Sequence, residues 1–367
     1  MSDRIDIGTR KGLFSYERRS SGWEPVGASF LGIQVPMLFH HQGVILASVE
    51  HGHFGTKFHR SADGGSSWEE LDAPAYPEKP DDVPDILDPW RNTPVPWSLE
   101  KVWCLESAGR TGELWCGTLP GGLFRSSDQG ESWSLVRSLW DRPERAKWAG
   151  GGYDWPGIHS ICVHPDDPMK VAVAISCGGV WRTEDGGESW AQGAHGMRFD
   201  FVPEDQGGAD PEAQDPHRMV QCPSAPDRLW VQHHCGIYRS DDGARSWHEI
   251  RDVKPSGFGF AVAVHPEAPD TAWFVPAKKD EFRHPVDARF VVTRTRDGGR
   301  TFETLERGLP ETPAYDIVFR HALDVDRTGH RLAMGSTTGS LWVSEDQGDS
   351  WQHLSAHLPP IYCVRFA

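Results

Sequence analysis

The chain has 367 residues, a formal net charge of −16, and 17 Trp and 16 Phe among 39 Gly and 28 Pro. So acidic a chain repels phosphate backbones and anionic lipid, which excludes nucleic acid and a membrane surface as partners. No run of about 18 apolar residues is present to span a bilayer, and aromatics dispersed among so many Gly and Pro suit short strands joined by tight turns.

Taken in chain order, residues 4–8, 12–17 and 22–26 read as three strands. Residues 37–39, 44–49 and 57–61 read as three more, closed by Ser61-Ala62-Asp63-Gly64-Gly65-Ser66-Ser67-Trp68. That unit then recurs. Strands at 102–105, 114–117 and 123–126 lead into an octapeptide at 126–133, and strands at 158–163, 171–176 and 179–183 into one at 183–190. Strands at 218–222, 228–232 and 237–240 precede the copy at 240–247. Those at 260–264, 272–275 and 288–295 precede 295–302, and those at 317–319, 331–334 and 341–344 precede 344–351. A lone strand, 361–366, closes the sequence.

The octapeptide is Ser/Thr-x-Asp-x-Gly-x-Ser/Thr-Trp/Phe, and only Ala244 departs from it. Its Asp residues are 63, 128, 185, 242, 297 and 346, a spacing that marks a repeat architecture. The Asp accepts hydrogen bonds from backbone further along the turn. Gly supplies a positive φ at little steric cost. The closing aromatic offers a large apolar face to the neighbouring repeat. Six copies suit structure and not a single active site, so no catalytic role is assigned to these Asp residues.

These boxes resemble the BNR or Asp-box repeats of sialidase-like and sortilin-like β-propellers, and nearly the whole chain is similar to bacterial glycosyl-hydrolase-like members of that group. The resemblance implies four-stranded blades and an all-β fold in one propeller spanning 1–367. Joining 361–366 to the three N-terminal strands makes a seventh blade and closes the ring; six blades is the alternative if the N-terminal segment is only an edge decoration. Insertions at 72–99, 137–157, 194–216 and 278–287 then gather on one face, where function on such scaffolds concentrates. Sialidase activity proper is not expected. The Arg-Ile-Pro segment that it needs is absent, Arg4-Ile5-Asp6 being the nearest string.

The blade alignment brings imidazoles, carboxylates and cations from distant parts of the chain toward the axis. His159 and His217 fall at equivalent inner-strand positions, and His51, His233 and His234 fall on the same rim. These five are the candidate ligands for a divalent metal, which would activate water or polarise a carbonyl. Glu50, Asp154, Asp280 and Asp316 are the candidate catalytic acids, since paired carboxylates of different pKa cleave glycosidic bonds. Arg10, Trp155, Arg218, Lys278 and Tyr315 are placed to bind substrate. His40, His41 and His321 are assigned to the opposite end. The expected activity is a hydrolase or lyase on a small polar or sugar-like ligand, and the alternative is a non-catalytic scaffold for a protein partner. The N-terminus carries no secretory signal pattern, and seven cysteines without a CxxC motif suit a reducing cytoplasmic compartment.

Overall fold

The computed structural model describes residues 1–110, 112–311 and 313–367. It holds seven four-stranded antiparallel sheets, each ordered from inner to outer strand, in a seven-bladed β-propeller. Blade 1 takes its inner strand, Ile361–Phe366, from the C-terminal segment, and Arg4–Thr9, Gly12–Arg19 and Gly22–Ser29 from the N-terminal one. Ile5 pairs with Phe366 and Ile7 with Val364. The inner strands of blades 2 to 7 are Gln34–His41, Lys101–Ser107, Ile158–Val163, Pro216–Cys222, Gly259–Val264 and Leu323–Val325. Each packs against the next, and Leu323–Val325 packs against Ile361–Phe366, so the circle is complete. The six-blade alternative is thereby excluded.

One strand lies elsewhere than expected. The inner strand of blade 7 is Leu323–Val325, whereas residues 317–319 form no strand and lead into the central cavity from the loop-rich face. Apolar content at 317–319 misled the assignment: Ile317 packs with Phe258 and Phe260 in a satellite cluster.

The middle strands are covered on both faces and therefore read as continuous apolar runs. Val171–Ile175 is buried at every position. Trp115, Trp181, Trp230, Trp273 and Trp342 come from five successive blades, and each is at most 1% exposed. At about 200 Å² of ring and about 25 cal/mol per Å², burying each contributes on the order of 5 kcal/mol. All seven cysteines are free, and all but Cys235 are buried.

The recurring octapeptide is one turn repeated six times. In the first copy Ser67 N and Ser67 Oγ donate to the two Asp63 oxygens at 2.9 and 2.7 Å, and Gly65 N donates to Ser61 Oγ at 2.7 Å. Gly65, Gly130, Gly187, Gly299 and Gly348 hold φ between 87° and 96°. Ala244 takes the same turn at φ 63°, with its N–H on Ser240 Oγ. An L-residue is disfavoured there, so this turn forms against a local backbone cost.

Bulges at the start of the inner strands matter most for the site. In blades 3, 4 and 5 one extra residue, Trp103, His159 or His217, has no partner on the adjacent strand. Blades 2 and 6 carry the same irregularity around Pro36 and Phe260. A bulge bends the strand and re-aims a side chain. Of these five residues all but His159 line the axial cavity. No helix among the described residues is long and apolar enough to cross a membrane.

Candidate functional site

A cavity of about 360 Å³ opens at the loop-rich face, over the axis. Every one of the four insertions reaches it: Trp90 from 72–99, Tyr153 from 137–157, Phe201 and Asp215 from 194–216, and Asp280 and Arg283 from 278–287. The inner strands and their approaches supply Lys101, Trp103, His217, Phe260, Arg320 and Tyr362.

Its polar centre is local to blade 5. Pro216 pairs with His233, which sets residues 215–217 opposite the hairpin 233–236. His234 N donates to Asp215 O at 3.0 Å. The Asp215 carboxylate, 5% exposed, points its Oδ2 at His217 Nε2 (3.5 Å) and His234 Nδ1 (3.4 Å). These three atoms lie within 4.8 Å of one another. Asp215 Oδ1 accepts from Cys177 N at 3.3 Å.

The imidazole of His217 is fixed from behind. Its Nδ1 donates to Gly259 O at 2.7 Å, and its ring stacks on Phe260 with centroids 4.7 Å apart. Burial pushes the His217 pKa down, against the pull of Asp215. Burial alone would raise the Asp215 carboxyl, but hydrogen bonds to His217 and His234 overcome it and hold it well below the usual range. Burial works against a charged His234, yet Asp215 outweighs it and raises that pKa.

Of the five expected metal ligands, His217 and His234 therefore meet, joined by Asp215. His233 does not join them. Both of its nitrogens lie on backbone N–H groups, those of Asp215 (3.2 Å) and Cys235 (3.1 Å), and burial pushes its pKa down to about 3. His159 is fully buried at the edge of the Trp103 ring, with Nδ1 on Ser160 Oγ at 3.0 Å. His51 packs beside His59 in blade 2, centroids 5.8 Å apart. His321 corrects its own assignment: it lines the cavity, because the segment before Leu323–Val325 enters from the loop side.

Among the four expected acids only Asp280 reaches the cavity wall, paired with Arg283. Glu50 pairs with Lys101 at 3.0 Å and so sits one step behind the wall. Asp154 is largely solvated, 3.6 Å from Arg91. Asp316 accepts from Ser336 Oγ at 2.7 Å and from Thr338. The expected substrate binders also stand outside the lining. Trp155 donates to Glu100 (2.7 Å), Arg218 to His159 O (3.2 Å), and Lys278 lies over Phe282. Tyr315 is 62% exposed beside His284, and Arg10 is exposed at a turn.

Sequence reasoning missed Asp215, Lys101, Trp103 and Arg320. The signal for Asp215 was available: Asp-Pro-His directly before an inner strand, facing His-His across a hairpin. Arg320 was hidden by the misplaced inner strand of blade 7.

The fold and the cavity define a β-propeller with a polar basin at its loop-rich mouth. No protein-family model matches the chain. The chain is similar to a probable oligoxyloglucan-reducing end-specific xyloglucanase of Neosartorya fischeri, 23% identical over 274 residues. That match covers 67% of this chain, which spans about a third (31%) of the length of that protein. Among solved structures, an ancestral GH74 enzyme superposes with a TM-score of 0.57 at 16% identity, covering 88% of this chain and 38% of that one. A periplasmic gluconolactonase of Pseudomonas aeruginosa gives 0.59 at 11% identity over 99% and 98%. At these identities the likeness concerns the fold, and function is argued from the basin itself.

Proposed function

We propose that the basin is the site of a metal-assisted hydrolase acting on a small polar, sugar-like ligand. One observation carries this reading. Oδ2 of Asp215 lies 3.5 Å from Nε2 of His217 and 3.4 Å from Nδ1 of His234, three ligand-capable atoms within 4.8 Å of one another. A divalent cation there would be held by two nitrogens and one oxygen, a donor set typical of zinc and related metals. Gly259 O behind His217 and Cys177 N behind Asp215 supply the outer hydrogen bonds that orient such ligands.

A bound metal would polarise a carbonyl or lower the pKa of a water. The chain's own groups do the rest. Asp215, His217 and His234 fix the reacting centre on a rigid hairpin. Trp103, Tyr153 and Phe260 provide flat walls for a ring, and the four insertions screen the basin from bulk solvent. Names of the similar proteins agree with a carbohydrate ligand, one being called a xyloglucanase and another a gluconolactonase. A scaffold for a protein partner calls for no deep polar cavity, which weighs against that alternative.

Isothermal titration of chelator-treated protein with Zn²⁺ and Mn²⁺ tests the reading. One site per chain is expected, with Asp215→Asn and His217→Ala each weakening it at least tenfold, the range typical for disturbing a metal site. Absence of saturable binding at near-millimolar metal would remove the metal from the mechanism.

A further inference from the structure

Arg320 is a buried cation with no anion in contact. It is 8% exposed and lies against the rings of Trp103 (4.8 Å) and Phe260 (5.7 Å). Among the described residues no carboxylate oxygen lies within 4.0 Å of it, and its Nε has no hydrogen-bond partner. Its neighbours are engaged: Arg283 with Asp280, Lys101 with Glu50, and Arg218 with His159 O. An unpaired guanidinium held out of water is costly, and the aromatic contacts offset that only in part. Gly152 leaves the approach open, since a Cβ there would stand 3.3 Å from Nη2 of Arg320. The basin wall carries three cations (Lys101, Arg283, Arg320) against two carboxylates (Asp215, Asp280), in a chain whose net charge is −16.

A second cavity of about 370 Å³ adjoins the first. The two share Trp90, Phe201, Asp215 and His234 as a common wall. Beyond that wall the lining turns apolar, with Phe199, Val202, Ala149 and Ala213, apart from Lys147, which is paired to Glu212 at 2.7 Å. The Asp215–His234 edge thus separates a cationic compartment from a greasy one.

We propose that the ligand is an organic-acid conjugate, with its carboxylate paired to Arg320 and an apolar substituent lodged beyond Phe201. The bond joining the two halves lies across the Asp215–His234 edge. A single flat guanidinium matches a planar monoanionic carboxylate in a bidentate fork. A phosphate dianion would find only half its charge met, because Lys101 and Arg283 are already paired. The assignment of the joint as the reacting bond rests on the proposed hydrolase; the binding assignment does not.

The test is isothermal titration of metal-free protein in chelator with phenyl β-D-glucuronide, phenyl β-D-glucoside, D-glucuronate and inorganic phosphate. The glucuronide binds at least tenfold more tightly than either the glucoside or free glucuronate. Arg320→Met removes the preference over glucoside and Phe201→Ser removes the preference over glucuronate, each with the melting temperature recorded. Arg320→Lys, which keeps the charge but not the fork, retains part of the preference. Equal binding of glucuronide and glucoside by the unaltered protein overturns the proposal, as does tighter binding of phosphate than of glucuronate. So does an Arg320→Met protein that melts normally and binds glucuronide unchanged, or failure of all four probes to bind at millimolar concentration. Asp215→Asn separates the two ideas: loss of metal with retained glucuronide binding leaves this proposal standing on its own.

Discussion

Removing residues 360–367 takes the inner strand from blade 1 and opens the ring. The strand places Ile361, Cys363 and Val364 at 0% exposure, and its loss uncovers Ile5 and Ile7, also at 0%. Burial of an aliphatic side chain is worth about 1.5–3 kcal/mol, so the four aliphatic residues alone account for roughly 6–12 kcal/mol. A domain's whole stability is about 5–15 kcal/mol. The truncated chain is therefore expected to be unfolded or aggregated at 37 °C. The point variant Ile361→Ala grades the effect. Ile361 packs directly over Gly335 of blade 7, where even a Cβ would stand 2.4 Å from Cγ2 of Ile361, so the lost methyl groups leave a void that cannot collapse easily. A loss of about 2–5 kcal/mol is expected. Urea unfolding followed by tryptophan fluorescence, with size-exclusion elution, measures both. A truncated protein with the full-length midpoint and elution volume would refute closure as the source of stability.

Four further outcomes follow from the geometry. Asp63, Asp185 and Asp297 are held at about 2, chiefly by hydroxyl donors from Ser67, Ser189 and Thr301. Because the folded pKa lies below the unfolded value of about 4, their contribution is complete above pH about 4 and is lost as pH falls toward about 2. Acid melting curves should show that window, and Asp185→Asn should narrow it. Tyr76→Phe removes the hydroxyl that links Thr118 Oγ1 (2.7 Å) and Gly122 N (2.8 Å) to the insertion 72–99; a loss of about 1–3 kcal/mol in urea is expected. Gly157→Ala places a Cβ 2.4 Å from the Trp103 ring, so overpacking of about 1–3 kcal/mol should lower the melting temperature, together with weaker ligand binding in the displaced basin. Metal at one hundred times its Kd should raise stability by about 2.7 kcal/mol in the unaltered protein and by no more than about 1.4 kcal/mol in His217→Ala, read by thermal melting.

The fold was legible because its signal is repeated. Six octapeptides fix six hairpins, and complementary ends identify the seventh blade. The site was half legible. His217, His234 and Asp280 could be aligned onto one rim, but the sequence does not announce which side chains a bulge turns inward. Trp103, Pro36 and Phe260 owe their place on the cavity wall to that extra residue in the ladder. Arg320 was lost to a local apolar run, 317–319, that mimics a strand while its backbone joins no sheet. Glu50 and Asp316 stand outside the lining beside Lys101 and Ser336, partners that alignment of blades cannot foresee.

Pairing the earliest strand with the latest also has a temporal consequence. Arg4–Thr9 emerges from the ribosome some 350 residues before Ile361–Phe366, its hydrogen-bonding partner. At about 5–20 residues per second that interval lasts roughly 20–70 s. Throughout it the nascent chain presents an unmatched β-edge carrying Ile5 and Ile7. A helper that shields such an edge during synthesis, rather than one that acts on the released polypeptide, would govern the yield of this propeller in the cell.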